Sequence, residues 1–202
     1  IDGFNLELAN LMQSVRKSTM TLAPEAGSQR LRNVINKGLT EEVILNGAKL
    51  AFEGGWNRVK LYFMLGLPTE TVEDMEGIAE LSEKIAEVYY QIPKDQRNGK
   101  VQVTASTSFF IPKPFTPFQW APMDNLENVR EKISALRGEI KSRAISYNWH
   151  ETLVSYMEAV IARGDITPEE LKNIHFKDTD YFNIRSWGMS DDKDIAIKCS
   201  SN

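Results

Sequence analysis

One unit recurs along this chain and limits the folds open to it: a stretch of strand character runs into a loop marked by Gly and Pro, and that loop opens a helix. It occurs as Ser18–Ala23 into Pro24-Glu25-Ala26-Gly27-Ser28, as Val59–Leu65 into Gly66-Leu67-Pro68-Thr69-Glu70-Thr71, and as Val101–Phe110 into Ile111-Pro112-Lys113-Pro114-Phe115-Thr116-Pro117-Phe118. Strands separated by helical crossovers pair in parallel with right-handed connections. A parallel sheet gathers all such loops on one side, where α/β enzymes bind their ligands. Three strands are too few to close an eight-stranded barrel. The expected fold is therefore α/β: a partial, half TIM-like barrel of parallel βα units with additional C-terminal helices.

The segments between the strands are helical by apolar spacing and end signals. Helices are predicted over Asn5–Lys17, Ser28–Asn36, Glu41–Glu53 with Thr40 as cap, and Val72–Ile92 with Thr71 and Asp74 as an acidic capping box. Val59–Leu65 is apolar enough to be buried on both faces, as parallel strands are. Pro93–Lys100 is a polar linker, Asp124–Ala144 a charged amphipathic helix, and Glu151–Arg163 a helix ending at Gly164. Thr167-Pro168-Glu169-Glu170 is a strong helix start. From Lys177 the pattern decays. The expected organisation is a half barrel over 1–122, a helical extension over 123–176 and an irregular tail over 177–202.

The balance of charge excludes some functions. A net charge of −4 argues against indiscriminate nucleic-acid binding, which needs a basic footprint. No apolar run approaches the roughly 18 residues of a membrane span, and no signal peptide is visible, so a cytoplasmic protein with no membrane partner is expected. The single cysteine, Cys199, allows neither an internal disulfide nor a cysteine-based metal site. His150 and His175 have no ligand spacing.

Each loop has a functional and a plain structural reading. Gly66 lets a backbone approach a ligand, Pro68 fixes the turn, and Glu70 could accept from an amine or hydroxyl; equally, any βα loop turns with Gly and Pro, and an acid suits a helix start. Glu25 could hold a cationic or hydroxylated ligand beside Gly27 and Ser28, or Ser28 could cap the helix while Glu25 stays solvated. In the third loop three prolines stiffen the chain, and Phe115, Phe118 and Trp120 could wall an apolar pocket or cap the core.

Taken in order, these loops resemble the radical SAM superfamily, most closely an uncharacterised cobalamin-binding-type branch related to the methylthiotransferases. Ala23-Pro24-Glu25-Ala26-Gly27-Ser28 with Leu31–Thr40 is similar to the fourth-strand motif and its helix. Lys60–Thr71 is similar to the fifth-strand motif with its Gly-x-Pro-x-Glu-Thr turn, and Phe110–Trp120 to the end of the sixth strand. Tyr147–His150 and Glu158–Asp165 resemble the post-core segment of that branch. The resemblance implies a partial barrel in which a [4Fe–4S] cluster reduces S-adenosylmethionine to a 5′-deoxyadenosyl radical, and it leaves open whether the parent also uses cobalamin. It implies that Thr21, Glu25 and Ser28 face the ribose or methionine part of the cofactor, that Gly66 and Glu70 flank the adenine, and that Phe110 and Ile111 offer backbone groups to its edge. Lys60 and Tyr62 are placed in the barrel interior, their direction depending on register.

One departure from the family matters most. The Cys-x3-Cys-x2-Cys loop that holds the cluster is absent from this sequence. The expectation is that the chain is cut from something longer, that the missing N-terminal half of the same protein is its first partner, and that alone it does not catalyse the reaction on its unknown substrate. An unpaired first strand would favour self-association through the open barrel edge. The rival expectation, from another class, is a non-catalytic α/β binding or assembly module.

Overall fold

Met20–Glu25 (β1), Arg58–Leu65 (β2), Gln102–Phe109 (β3) and Ile145–Trp149 (β4) form one sheet in that order, every neighbouring pair parallel. This computed structural model describes residues 19–163, 182–183 and 196–197. The helix expected over Asn5–Lys17, the helix start at Thr167, His175 and nearly all of the 177–202 tail lie outside the described residues. The chain divides into two units, Ile1–Ala159 and Val160–Asn202. Within the second, Phe182–Asn183 (β5) and Ala196–Ile197 (β6) pair antiparallel.

Helices occupy every crossover: Gln29–Val34 (α1) and Glu41–Glu53 (α2) after β1, Val72–Gln91 (α3) after β2, and Leu126–Glu139 (α4) after β3. Thr152–Arg163 (α5) follows β4. The result is an α/β fold with four parallel strands, consistent with a partial TIM-like barrel. Caps begin the helices where the sequence signals them. Ser28 accepts from the Leu31 N–H at 3.0 Å and Thr40 from the Val43 N–H at 3.2 Å, while Thr71 and Asp74 complete a reciprocal box. Among the described residues no helix is long and apolar enough to cross a membrane.

The sheet has one more strand than expected. The helix predicted to run to Ala144 ends at Glu139, and Ile140 leaves helical geometry. Ile145, Tyr147 and Trp149 then alternate with Ser146, Asn148 and His150, a period of two that suits a strand.

The core lies on one face of the sheet. Val59, Leu61, Phe63 and Leu65 of β2, with Val103, Ala105 and Phe109 of β3, are buried against Ile44, Ala48 and Phe52 of α2, Met75–Tyr89 of α3, and Val129, Ile133 and Leu136 of α4. Phe52 and Tyr89 meet edge to face at 5.1 Å. The expectation that β2 is buried on both faces fails here. Lys60, Tyr62 and Met64 alternate with the core residues and are only half-buried, because the pleat sends them to the face opposite the helices.

Candidate functional site

The three loops that follow β1, β2 and β3 meet at the carboxyl edge of the sheet. Ala26 from the first, Leu67 from the second and Phe110 from the end of β3 form a separate buried cluster with Leu31 of α1, and Met64, Phe118 and Ala121 pack against it. Phe110 and Phe118 are edge to face at 6.1 Å. Each loop also holds one side-chain-bearing residue at positive φ: Glu25 at 68°, Thr69 at 68° and Phe115 at 62°. Such backbone costs on the order of 1–3 kcal/mol per residue and persists only where surrounding bonds hold it.

The Phe115 N–H donates to the Gln119 Oε1 at 3.1 Å, and two clasps hold the first two loops. The first joins the β1 loop to the start of α3. Asp74 is 2% exposed and accepts from the Thr71 N–H at 2.8 Å, the Arg30 Nε at 3.2 Å, the Arg30 Nη2 and the Ser28 hydroxyl. Burial alone would raise its pKa, but the hydrogen bonds from Arg30, Ser28 and Thr71 outweigh burial and hold it at about 2. Arg30 also donates to the carbonyl of Thr69 at 2.7 Å, which pins the strained residue of the second loop. Gly27 lies backbone to backbone on α3: a Cβ there would stand 2.3 Å from the Ile78 nitrogen and 2.6 Å from the Gly77 carbonyl carbon. No residue but glycine fits that seam.

The second clasp joins the β2 loop to α4. Both oxygens of Glu70 accept from the Gly66 N–H, at 3.0 and 3.1 Å, and Lys132 bridges Glu70 and Asp124 at 2.6 Å each. Burial would lower the Lys132 pKa, yet Asp124 and Glu70 raise it above the usual lysine value. Gly66 itself adopts φ +79°, and a Cβ would come within 3.0 Å of Asp124 Oδ2.

The structure separates the residues singled out by sequence into three groups. Ser28 and Glu70 spend their oxygens inside the protein, on Leu31, Asp74, Gly66 and Lys132; they hold loops in place. Glu25, Gly66, Phe110 and Ile111 stand at the rim. The Glu25 carboxylate pairs with Lys37 at 3.1 Å and stays 27% exposed. The Phe110 N–H donates to the Leu65 carbonyl at 2.8 Å, whereas the Phe110 carbonyl and both backbone polar groups of Ile111 have no hydrogen-bond partner among the described residues. Thr21, Lys60 and Tyr62 lie elsewhere, below the rim on the face opposite α2, α3 and α4, open only in that those helices do not cover it, with Thr21 beside Lys60 in register. Of the two readings of the third loop, a pocket wall and a cap on the core, Phe118 follows the second by packing inward, while Phe115 and Trp120 are 98% and 84% exposed and form no wall.

Sequence reasoning missed several residues that shape the rim. Arg30, Gly77 and Lys132 act across 39–62 positions, beyond any local pattern. Arg32, fully buried, donates to the carbonyls of Ala26 and Gly27 at 2.9 and 3.0 Å and so fixes the first loop from below. Burial pushes its pKa down from the usual arginine value. Among the described residues no group of three His, Cys, Asp or Glu side chains is placed to hold a metal ion.

Two comparisons with known proteins bear on this rim. Residues 1–82 match the family model of the radical SAM superfamily, a span that takes in β1, β2 and the loops after both. Over 156 residues the chain is 36% identical to an uncharacterized protein of Methanocaldococcus jannaschii, a likeness that covers 77% of this chain and 32% of that relative. The chain thus spans about a third of the length of the curated relative it matches.

Proposed function

We propose that this chain holds the nucleoside of S-adenosylmethionine at the carboxyl rim of its sheet, as the later part of the core of a longer radical SAM iron–sulfur enzyme. The observation that carries this reading is the meeting of three separate loops in one rim cluster, with the Phe110 carbonyl and the Ile111 backbone beside it unpaired among the described residues. Unpaired backbone groups at the edge of an apolar cluster suit a flat, hydrogen-bonding base. The match of residues 1–82 supports the same reading. Ile111 and the Phe110 carbonyl would take the adenine edge, Gly66 would give the ring close approach, and Glu25 would accept from ribose hydroxyls. Ser28, Asp74, Glu70 and Lys132 keep those groups in position.

When bound and reduced, S-adenosylmethionine supplies a 5′-deoxyadenosyl radical. The cluster that would reduce it does not fit this chain: three thiolates are required, and the sequence holds one cysteine, Cys199. Its ligands would come from a part of the protein outside this sequence, and by itself the chain would not cleave the cofactor. Cobalamin is not part of this reading.

Calorimetric titration with 5′-methylthioadenosine, which carries adenine and ribose but no methionine, tests the proposal. Saturable heat is expected from the chain, weakened at least about tenfold in Gly66→Val, whose side chain meets Asp124 at a positive φ. Circular dichroism shows whether that variant keeps its fold. Absence of saturable heat from the unaltered chain overturns the reading. It would favour a binding module instead, for which the exposed Phe115 and Trp120 of the rim loop are the supporting observation.

A further inference from the structure

The open face of the sheet carries a cation without an acid. Lys60 has no carboxylate within ion-pair distance among the described residues, and its ammonium lies 4.7 Å from the centroid of the Tyr62 ring. Tyr62 is two positions nearer the rim on the same face, so the lysine leans along the strand to the level of the next rung. Register places Tyr62, Ser106 and Asn148 side by side on that rung, with Thr21, Lys60, Thr104 and Ser146 on the rung beneath. Neither rung contains Asp or Glu. Ser106 is 5% exposed, and its hydroxyl is not enclosed without a partner, since among the described residues the one such side-chain atom is Arg32 Nε.

A cation–π contact offsets part of the cost of half-burying an ammonium, but it leaves the other donors unused. A cation, two hydroxyls and an amide with no carboxylate among them complement an oxyanion, through charge-assisted hydrogen bonds. Tyr62 stands four residues before Gly66, about 13 Å along a strand rising ~3.3 Å per residue, so this group is separate from the rim. We propose that the open face binds the substrate of this protein through a carboxylate or phosphate, held by Lys60 with Tyr62, Ser106 and Asn148 around it. The word substrate rests on the rim holding the cofactor; the oxyanion site itself does not.

The test is a titration of the full chain, carrying ring-labelled tyrosine, with inorganic phosphate at constant ionic strength. It is followed by NMR of the Tyr62 resonance, assigned through Tyr62→Phe. A saturable shift of Tyr62 is expected, weakened about tenfold or more in Lys60→Met and largely restored in Lys60→Arg, as loss and return of one charge-assisted contact require. Lys84→Met, which removes a surface cation paired with Glu41, should leave the shift unchanged. A Tyr62 resonance that ignores phosphate, or equal weakening in Lys60→Met and Lys84→Met, overturns the proposal. So does loss of S-adenosylmethionine affinity in Lys60→Met with methylthioadenosine unaffected, because the ammonium would then belong to the carboxylate of the cofactor. If phosphate titrates Tyr62 and methylthioadenosine fails to bind, the oxyanion site stands and the nucleoside reading of the rim falls.

Discussion

The two faces of this sheet follow opposite rules although they share the same residues' backbones. On one, Val59, Leu61, Phe63 and Leu65 are 0–1% exposed under α2, α3 and α4. On the other, Lys60, Tyr62, Thr104, Ser106, Ser146 and Asn148 make a polar floor. Parallel sheets are usually covered and apolar on both sides. The difference shows that the free energy of folding is concentrated on the helix face, where each large apolar side chain contributes roughly 1.5–3 kcal/mol by burial. The open face is left to chemistry that needs charge and hydroxyls.

Neighbouring residues of β2 give the sharpest way to break that comparison. Phe63→Ala should cost about 3–5 kcal/mol, since it leaves a cavity in a closed core. Tyr62→Ala, one position away, should cost about 1 kcal/mol or less, since its ring is half-buried on the open face. Urea unfolding of the two variants measures both. Equal losses would mean that the open face is packed like a core, and would remove the basis for treating it as a binding surface.

How much of this was legible in the sequence depends on the range of the interaction. Caps were readable because Ser28, Thr40 and Thr71 act within three residues. The strand–loop–helix unit was readable for the same reason, and with it the parallel α/β order. β4 was hidden because Ile140 and Ala144 fall at helical spacing after α4, although both pack on the core from irregular backbone. The clasps were hidden more deeply. Glu70 looks like a ligand-facing acid until Lys132, 62 positions on, claims it together with the Gly66 N–H. Gly77 carries no local signal of its own, and its role shows only where Gly27 lies against it. Such pairings exist only once the strands have been set in order.

The glycine seam gives the next largest effect and asks whether the rim is as rigidly specified as the helix face. Gly27→Ala would place a methyl 2.3 Å from the Ile78 nitrogen and 2.5 Å from the Asp74 carbonyl oxygen, both backbone atoms that cannot rotate away. The expected loss is about 3 kcal/mol, at the upper end of overpacking costs. Gly38→Ala, with nothing within 4 Å of its Cβ, should be neutral or stabilising by about 0.5 kcal/mol. Thermal unfolding separates them. If both are neutral, the first loop is free to lift from α3 and the rim is softer than the core beneath it.

Asp74 carries the smallest effect, and pH is the means to isolate it. Its carboxyl titrates at about 2 in the folded chain, against about 3.9 when unfolded. A depressed value means that its stabilisation is complete above the unfolded pKa and is lost as pH falls from about 4 toward 2. Asp74→Asn keeps the shape but replaces two acceptor oxygens by one and sets an amide against Arg30, so it should cost roughly 1–3 kcal/mol at neutral pH. The variant should also lose the part of the acid sensitivity that Asp74 supplies, making the gap to the unaltered chain narrow between pH 4 and 2. Urea midpoints at pH 7, 4 and 2.5 test this directly. A gap that stays constant with pH would show that Arg30 and Ser28 do not hold the ionised form, and the link between the first two rim loops would then rest on the glycine seam and the Arg30–Thr69 hydrogen bond.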